Sequence, residues 1–171
     1  PTTNYGDACD AEAGKNVYLG NCSYSGAYQS LRFLLGEEFI SKPNDSYFDP
    51  DSLKLFNQFE FYDGDIKNAA MGNLGFIYIP KTCEEPGQKC YLHINFHGCN
   101  EYPPSVAKRY IENNQFLPLA EENGIIVVFP LTTKVPFNME GCWDFYSYTG
   151  SDFGKGNFDS SQFADCALEK I

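Results

Sequence analysis

Two histidines and a cysteine stand close together near the middle of the chain, His93, His97 and Cys99, in the run Tyr91-Leu-His-Ile-Asn-Phe-His-Gly-Cys-Asn100. Leu92, Ile94 and Phe96 alternate with His93, Asn95 and His97, which predicts a strand with one apolar face that breaks off at Gly98. A strand ending in a sharp His-Gly turn is a place where backbone N–H groups can hold the oxyanion of an acyl transfer. These are the chain's only two histidines, predicted to share one side of the strand. His93, inside it, reads as a hydrogen-bonded structural residue, and His97 as a residue that orients the turn rather than one that moves a proton. Two histidines and a cysteine at this spacing would also suit zinc. The cysteines, however, lack the tight C-x-x-C clusters of metal sites, so no metal and no other cofactor is expected.

A nucleophile is harder to find. Ser23, in Asn21-Cys-Ser-Tyr-Ser25, has neither glycine of the G-x-S-x-G elbow and no buried strand before it. It reads as a loop serine. Asp144, beside Trp143, is placed to be a triad acid but reads better as an acceptor for backbone N–H groups.

The elements around the turn are legible from periodicity. Tyr28, Leu31, Leu34 and Leu35 fall at helical spacing, with Ser25 to cap and Gly36 to stop the helix. Leu55–Phe61 and Gly75–Pro80 read as strands, and the short link from Pro80 to Tyr91 predicts that the second pairs antiparallel with the strand at Tyr91–Phe96. Val106, Ala107, Tyr110 and Ile111 share a helical face, a second short helix spans Leu117–Glu122, and Asn123-Gly124 ends it. Gly124–Pro130 is a β-branched run typical of a strand buried on both faces of a parallel sheet, completing a βαβ unit. A closing helix is expected from about Ser160. Residues 1–24 read as a disulfide-held loop and residues 25–171 as sheet and helices, all in one domain.

Composition narrows the partners. The formal net charge is -11, with Lys and Arg scattered, which argues against nucleic acid or an anionic membrane. No stretch approaches the roughly 20 apolar residues of a membrane span. The seven cysteines suggest disulfides and an oxidising compartment, with Cys9 paired to Cys22 and Cys83 to Cys90 by proximity in sequence. Sequons at Asn21 and Asn44 agree with secretion and glycosylation. The seventh cysteine leaves Cys166 to stay free or to pair with another chain. The chain opens on Pro1-Thr2-Thr3 and reads as processed, or as part of something longer.

Four runs together resemble a known family: Gly75–Cys83, Cys90–Cys99, Asn123–Pro130 and Gly141-Cys-Trp-Asp-Phe-Tyr-Ser-Tyr-Thr-Gly150. They are similar, in order and spacing, to extracellular poly(3-hydroxybutyrate) depolymerases and related polyester esterases. The resemblance implies an α/β fold, part of a circularly permuted α/β-hydrolase three-layer sandwich with a mixed sheet and helices on both faces. It also implies ester hydrolysis by acyl transfer, with the Cys99 backbone N–H as oxyanion donor and a Cys99–Cys142 disulfide behind it. Trp143, Phe145 and Tyr146 would line an aromatic substrate crevice. Phe145 and Tyr146 stand where the family often has Trp. Because Pro1-Thr2 resembles the pair that follows the family's catalytic histidine, the triad Ser, Asp and His are expected on an upstream segment of the precursor or on a second chain. The alternative is a secreted structural or binding protein that keeps the fold without catalysis and assembles through its aromatic surface and Cys166.

Overall fold

The computed structural model describes residues 2–11, 18–61 and 69–149. The expected helix near Ser160, and Cys166, lie outside them. The chain divides into two compact units, Pro1–Lys54 with Ile77–Ile94 and Lys108–Val128, and Leu55–Phe76 with Asn95–Ala107 and Phe129–Ile171.

At the start of the first unit, where a disulfide-held loop was expected, three two-residue strands form a small sheet: β1 (Thr2–Thr3), β2 (Asp7–Ala8) and β3 (Gly20–Asn21), in the order β1-β3-β2 with both pairs parallel. The Cys9–Cys22 disulfide closes the segment between them. Helix α1 (Gly26–Leu35) begins where Ser25 Oγ accepts the Tyr28 N–H at 3.2 Å, and it ends with the Gly36 N–H donated to Arg32 O. Ala27 and Leu31 are its buried side chains.

The main sheet has four strands: β4 (Leu53–Asn57), β5 (Leu74–Tyr78), β6 (Tyr91–Ile94) and β7 (Ile125–Phe129), in the order β4-β5-β7-β6. The sheet is mixed. Ile79 donates to Ser52 O and Gln58 to Asn73 O at opposite ends of the β4–β5 pair, so those strands run antiparallel. Met71 bridges Thr132 in antiparallel fashion, whereas β6 and β7 are parallel, with His93 opposite Val127. The parallel β6–β7 pair is the βαβ unit expected from the sequence, its crossover formed by α2 (Pro104–Asn113) and α3 (Phe116–Asn123). The expected antiparallel β5–β6 pair is not formed, because β7 lies between the two strands. Burial follows this order. Ile125, Val127, Val128 and Phe129 of inner β7 are buried, while edge strand β6 leaves Tyr91 and Leu92 nearly half exposed.

Strand β4 stops four residues short of the expected strand's end at Phe61, and Gln58–Phe61 form a 3-10 turn. The cause is Gln58, a buried amide. Its Nε2 donates to Gly72 O (2.7 Å) and Leu131 O (2.8 Å), and its Oε1 accepts the Leu131 N–H at 3.0 Å. One side chain thereby satisfies backbone groups that a longer strand would have paired.

Candidate functional site

Strand β6 ends at Ile94, so His93 and His97 do not share a strand face as the alternation suggested. His93 stacks on Phe116 with ring centroids 4.7 Å apart. Its Nε2 is buried and has no hydrogen-bond partner among the described residues, unlike the hydrogen-bonded residue expected there. Burial holds its pKa below the ordinary imidazole value.

His97 is buried in the turn that follows, and its tautomer can be assigned from its partners. The Thr132 N–H is a fixed donor 3.1 Å from Nε2, so Nε2 carries the lone pair; the proton sits on Nδ1 and is donated to Gly98 O at 2.6 Å. Both ring nitrogens are thereby committed. Burial lowers the pKa and the contact with Gly98 O opposes this, leaving it depressed. Thr132 Oγ1 donates to Gly141 O at 2.5 Å, so His97 ties the turn to the segment that enters Cys142.

The turn itself is held from both sides. Gly98 N–H donates to Glu101 Oε2 at 2.6 Å, Glu101 N–H returns to Gly98 O at 3.3 Å, and Asn100, at φ +66°, donates its N–H to Glu140 O at 2.7 Å. Between these two bound amides lies Cys99, whose N–H has no acceptor among the described residues. Its sulfur is bonded to Cys142. The Asn138 side chain clamps Cys142, accepting its N–H at 3.0 Å and donating to its carbonyl at 2.7 Å, and the Tyr148 hydroxyl donates to the same carbonyl at 2.7 Å. A turn braced in this way can present one N–H in a fixed direction, which is what oxyanion stabilisation requires.

Glu101 was not picked out from the sequence, where an acid after a turn looks like an ordinary surface residue. It is buried, 3% exposed. Burial raises its pKa and the Gly98 hydrogen bond pulls it back, with burial the stronger influence. Thr132, Asn138 and Tyr148 were also missed, since each acts on a partner set by the fold. The only prior signal was the Gly-x-x-Glu spacing of a side chain that turns back on a nearby amide.

The aromatic cluster is split. Trp143 is half-buried, edge-on to Phe96 at 4.9 Å and tilted against His97 at 5.5 Å. Phe145 and Tyr146 are exposed and meet edge-on at 4.8 Å, and the Tyr146 hydroxyl donates to Phe137 O. Asp144 accepts the N–H groups of Tyr146, Ser147, Tyr148 and Thr149, the backbone-acceptor role expected for it. Burial works to raise its pKa, but these bonds and the Thr149 hydroxyl hold it below the usual value. A cavity of about 730 Å³ opens in the same unit, with Phe59, Met71, Lys134, Phe137 and Tyr148 in its wall. None of Trp143, Phe145 and Tyr146 lines it.

Elsewhere, Cys83 is bonded to Cys90, as expected. Ser23 lies exposed between β3 and α1 at φ +53°, and Asn21 and Asn44 are both exposed. Cys99, Glu140 and Cys142 form the one metal-like cluster among the described residues, but the disulfide leaves only the carboxylate as a ligand. No helix among the described residues is long and apolar enough to cross a membrane.

No protein-family model matches the chain. It is 29% identical over 155 residues to a poly(3-hydroxybutyrate) depolymerase of Delftia acidovorans, covering 90% of this chain and 29% of that protein. A polyhydroxybutyrate depolymerase of Talaromyces funiculosus is 27% identical over 146 residues, covering 79% of this chain and 41% of the relative. The crystal structure of PHB depolymerase from Penicillium funiculosum superposes with a TM-score of 0.76 at 25% identity, over 96% of this chain and 53% of that one. A PHB depolymerase variant complexed with an R3HB trimer matches with a TM-score of 0.77, also at 25% identity. The chain thus spans about half the length of the solved structures and less of the curated relatives. In sequence and backbone together, the chain is similar to part of the length of poly(3-hydroxybutyrate) depolymerases, with a partial α/β-hydrolase-like fold.

Proposed function

We propose that this chain forms the oxyanion side of a secreted serine esterase that hydrolyses poly(3-hydroxybutyrate) or a related polyester. The observation that carries the reading is the Cys99 N–H, the one amide of the Gly98–Asn100 turn left without an acceptor among the described residues. A serine hydroxyl attacks the ester carbonyl, its proton passes to a histidine held by an aspartate, and the carbonyl oxygen takes up negative charge against Cys99 N–H. Collapse releases the alcohol, and water then cleaves the acyl-enzyme. One such donor is worth roughly 3 kcal/mol of transition-state stabilisation. In this reading the Ser, Asp and His come from sequence outside these 171 residues, in the same precursor or on a second chain; the partial coverage of the relatives supports this.

His97, with both nitrogens committed, serves as a positioning residue for the turn. Trp143, Phe145 and Tyr146 offer apolar contact to the substrate chain. Three disulfides support folding in the secretory pathway, where Asn21 and Asn44 are exposed for glycosylation. The test is to treat the natively isolated protein, with whatever segment or chain accompanies it, with a fluorophosphonate probe. Covalent labelling of an accompanying serine, together with release of hydroxy acid from the polymer, is the expected result. An unlabelled, inactive protein that runs as a disulfide-linked polymer through Cys166 would replace this reading with that of a structural or binding protein.

A further inference from the structure

The cavity of about 730 Å³ in the second unit has a mostly apolar and aromatic wall, to which Phe59, Met71, Pro136, Phe137 and Tyr148 contribute. A single charged residue lines it, Lys134. Lys134 is also the only Lys or Arg among the described residues of that unit. Its ammonium forms no ion pair with a described residue; it rests over the Tyr102 ring, 5.8 Å from the centroid. The described acids of the unit are engaged elsewhere: Glu60 accepts from Asn57, Glu101 and Asp144 accept backbone N–H groups, and Glu140 is at the Cys99–Cys142 bridge. The cleft therefore joins an apolar length to one unneutralised cation held by an aromatic face.

We propose that this cleft binds the acid end of an oligoester, its apolar repeat against Phe59, Met71 and Phe137 and its terminal carboxylate on Lys134 Nζ. This rests on the polyester reading above and deepens it, because a ligand gripped by its carboxylate is positioned from that end. The cleft and the oxyanion turn share a bonded frame. Thr133 lines the cleft next to Thr132, which donates to His97, and Tyr148 lines it while its hydroxyl holds the Cys142 carbonyl. An interior stretch of polyester has no charge to offer Lys134, whereas each hydrolysis creates a new carboxylate end. The net charge of -11 opposes any anion at long range, but salt screens that field beyond about 10 Å at 0.1 M, and a local pair is screened less.

The test is direct binding, by calorimetry on the purified protein, of 3-hydroxybutyrate trimer as the free acid and as its methyl ester, each verified intact afterwards. The free acid is expected to bind roughly tenfold more tightly at about 0.1 M salt, with the gap closing as salt rises toward 1 M. Lys134→Met, verified folded by circular dichroism, should bring the acid down to the affinity of the ester, and Lys134→Arg should retain the preference. Equal affinities in the unsubstituted protein, no binding of either trimer, or a preference that survives Lys134→Met would each overturn the assignment. Fluorophosphonate labelling remains a separate reading: a protein that fails to label yet prefers the free acid loses the hydrolase function and keeps this site.

Discussion

Glu101 is buried and His93 half-buried, and the two titratable residues make opposite demands on pH. Glu101 has its pKa raised, so as pH climbs the unfolded chain deprotonates first. Its contribution to stability is full below the unfolded value of ~4.3 and is lost as pH rises through the folded value. Glu101→Gln keeps an acceptor for the Gly98 N–H and removes the charge. It should therefore melt higher than the parent at pH 7 and converge with it near pH 4. Glu101→Ala, which strands the Gly98 N–H, should instead lose about 1–3 kcal/mol by urea unfolding. The opposite order, with Gln below Ala at pH 7, would mean that the charge itself holds the turn. His93 has a depressed pKa, so its contribution is present above ~6.5 and fades as pH falls through the folded value. His93→Phe preserves the stack on Phe116 and removes the unpaired Nε2. It should gain about 1 kcal/mol at pH 7 and flatten the acid limb of stability below about pH 6.5. An unchanged acid limb would assign that limb to His97.

At the scale of elements, the turn glycines separate backbone strain from steric conflict. Gly124 ends α3 at φ +61°, and a Cβ there would lie 3.6 Å from Cys90 Sγ, an ordinary contact. Gly124→Ala should cost only the left-handed conformation, about 1–2 kcal/mol. Gly141 has a similar φ of +57°, but a Cβ there would fall 2.3 Å from Tyr102 Cδ1, and its carbonyl accepts from Thr132. Gly141→Ala should cost at least about 1 kcal/mol more than Gly124→Ala in denaturant melts, because Tyr102 must also move. Equal losses would show that Tyr102 yields freely. The sequence revealed these elements unevenly, for physical reasons. The β-branched run of β7, the Ser25 cap and the Gly124 stop are local signals, and all three were readable. The order of the strands is not local: a short link between β5 and β6 is compatible with pairing, but also with a third strand arriving between them. The braces of the turn were hidden in the same way. Thr132 reaches His97 across 35 residues, and Gln58 reaches Leu131 across 73, whereas the Gly98 turn itself was visible in ten residues of sequence.

For the whole molecule, two of the three disulfides stand furthest apart in the loops they close, one a local turn and the other a long excursion. Cys83 and Cys90 are 7 residues apart, whereas Cys99 and Cys142 are 43 apart, and the chain between that second pair passes through the other unit, over Lys108–Val128. In the chain-entropy account, closing these loops restricts the unfolded chain by about 2.5 and about 4 kcal/mol respectively. Replacing both cysteines of a pair with serine should therefore cost about 1.5 kcal/mol more at Cys99 and Cys142 than at Cys83 and Cys90, by denaturant unfolding under identical conditions. Function should separate the pairs further. The Cys99–Cys142 bond carries the turn whose N–H is proposed to meet the oxyanion, and Asn138 and Tyr148 hold its far end. In an active preparation, its loss should lower kcat more than it raises KM, because a displaced donor weakens the transition state and leaves ground-state binding largely intact. Loss of the Cys83–Cys90 bond should change stability alone. Equal effects of the two pairs on kcat would detach the oxyanion role from the Cys99 turn, and the fold would then have to supply that charge stabilisation from another amide.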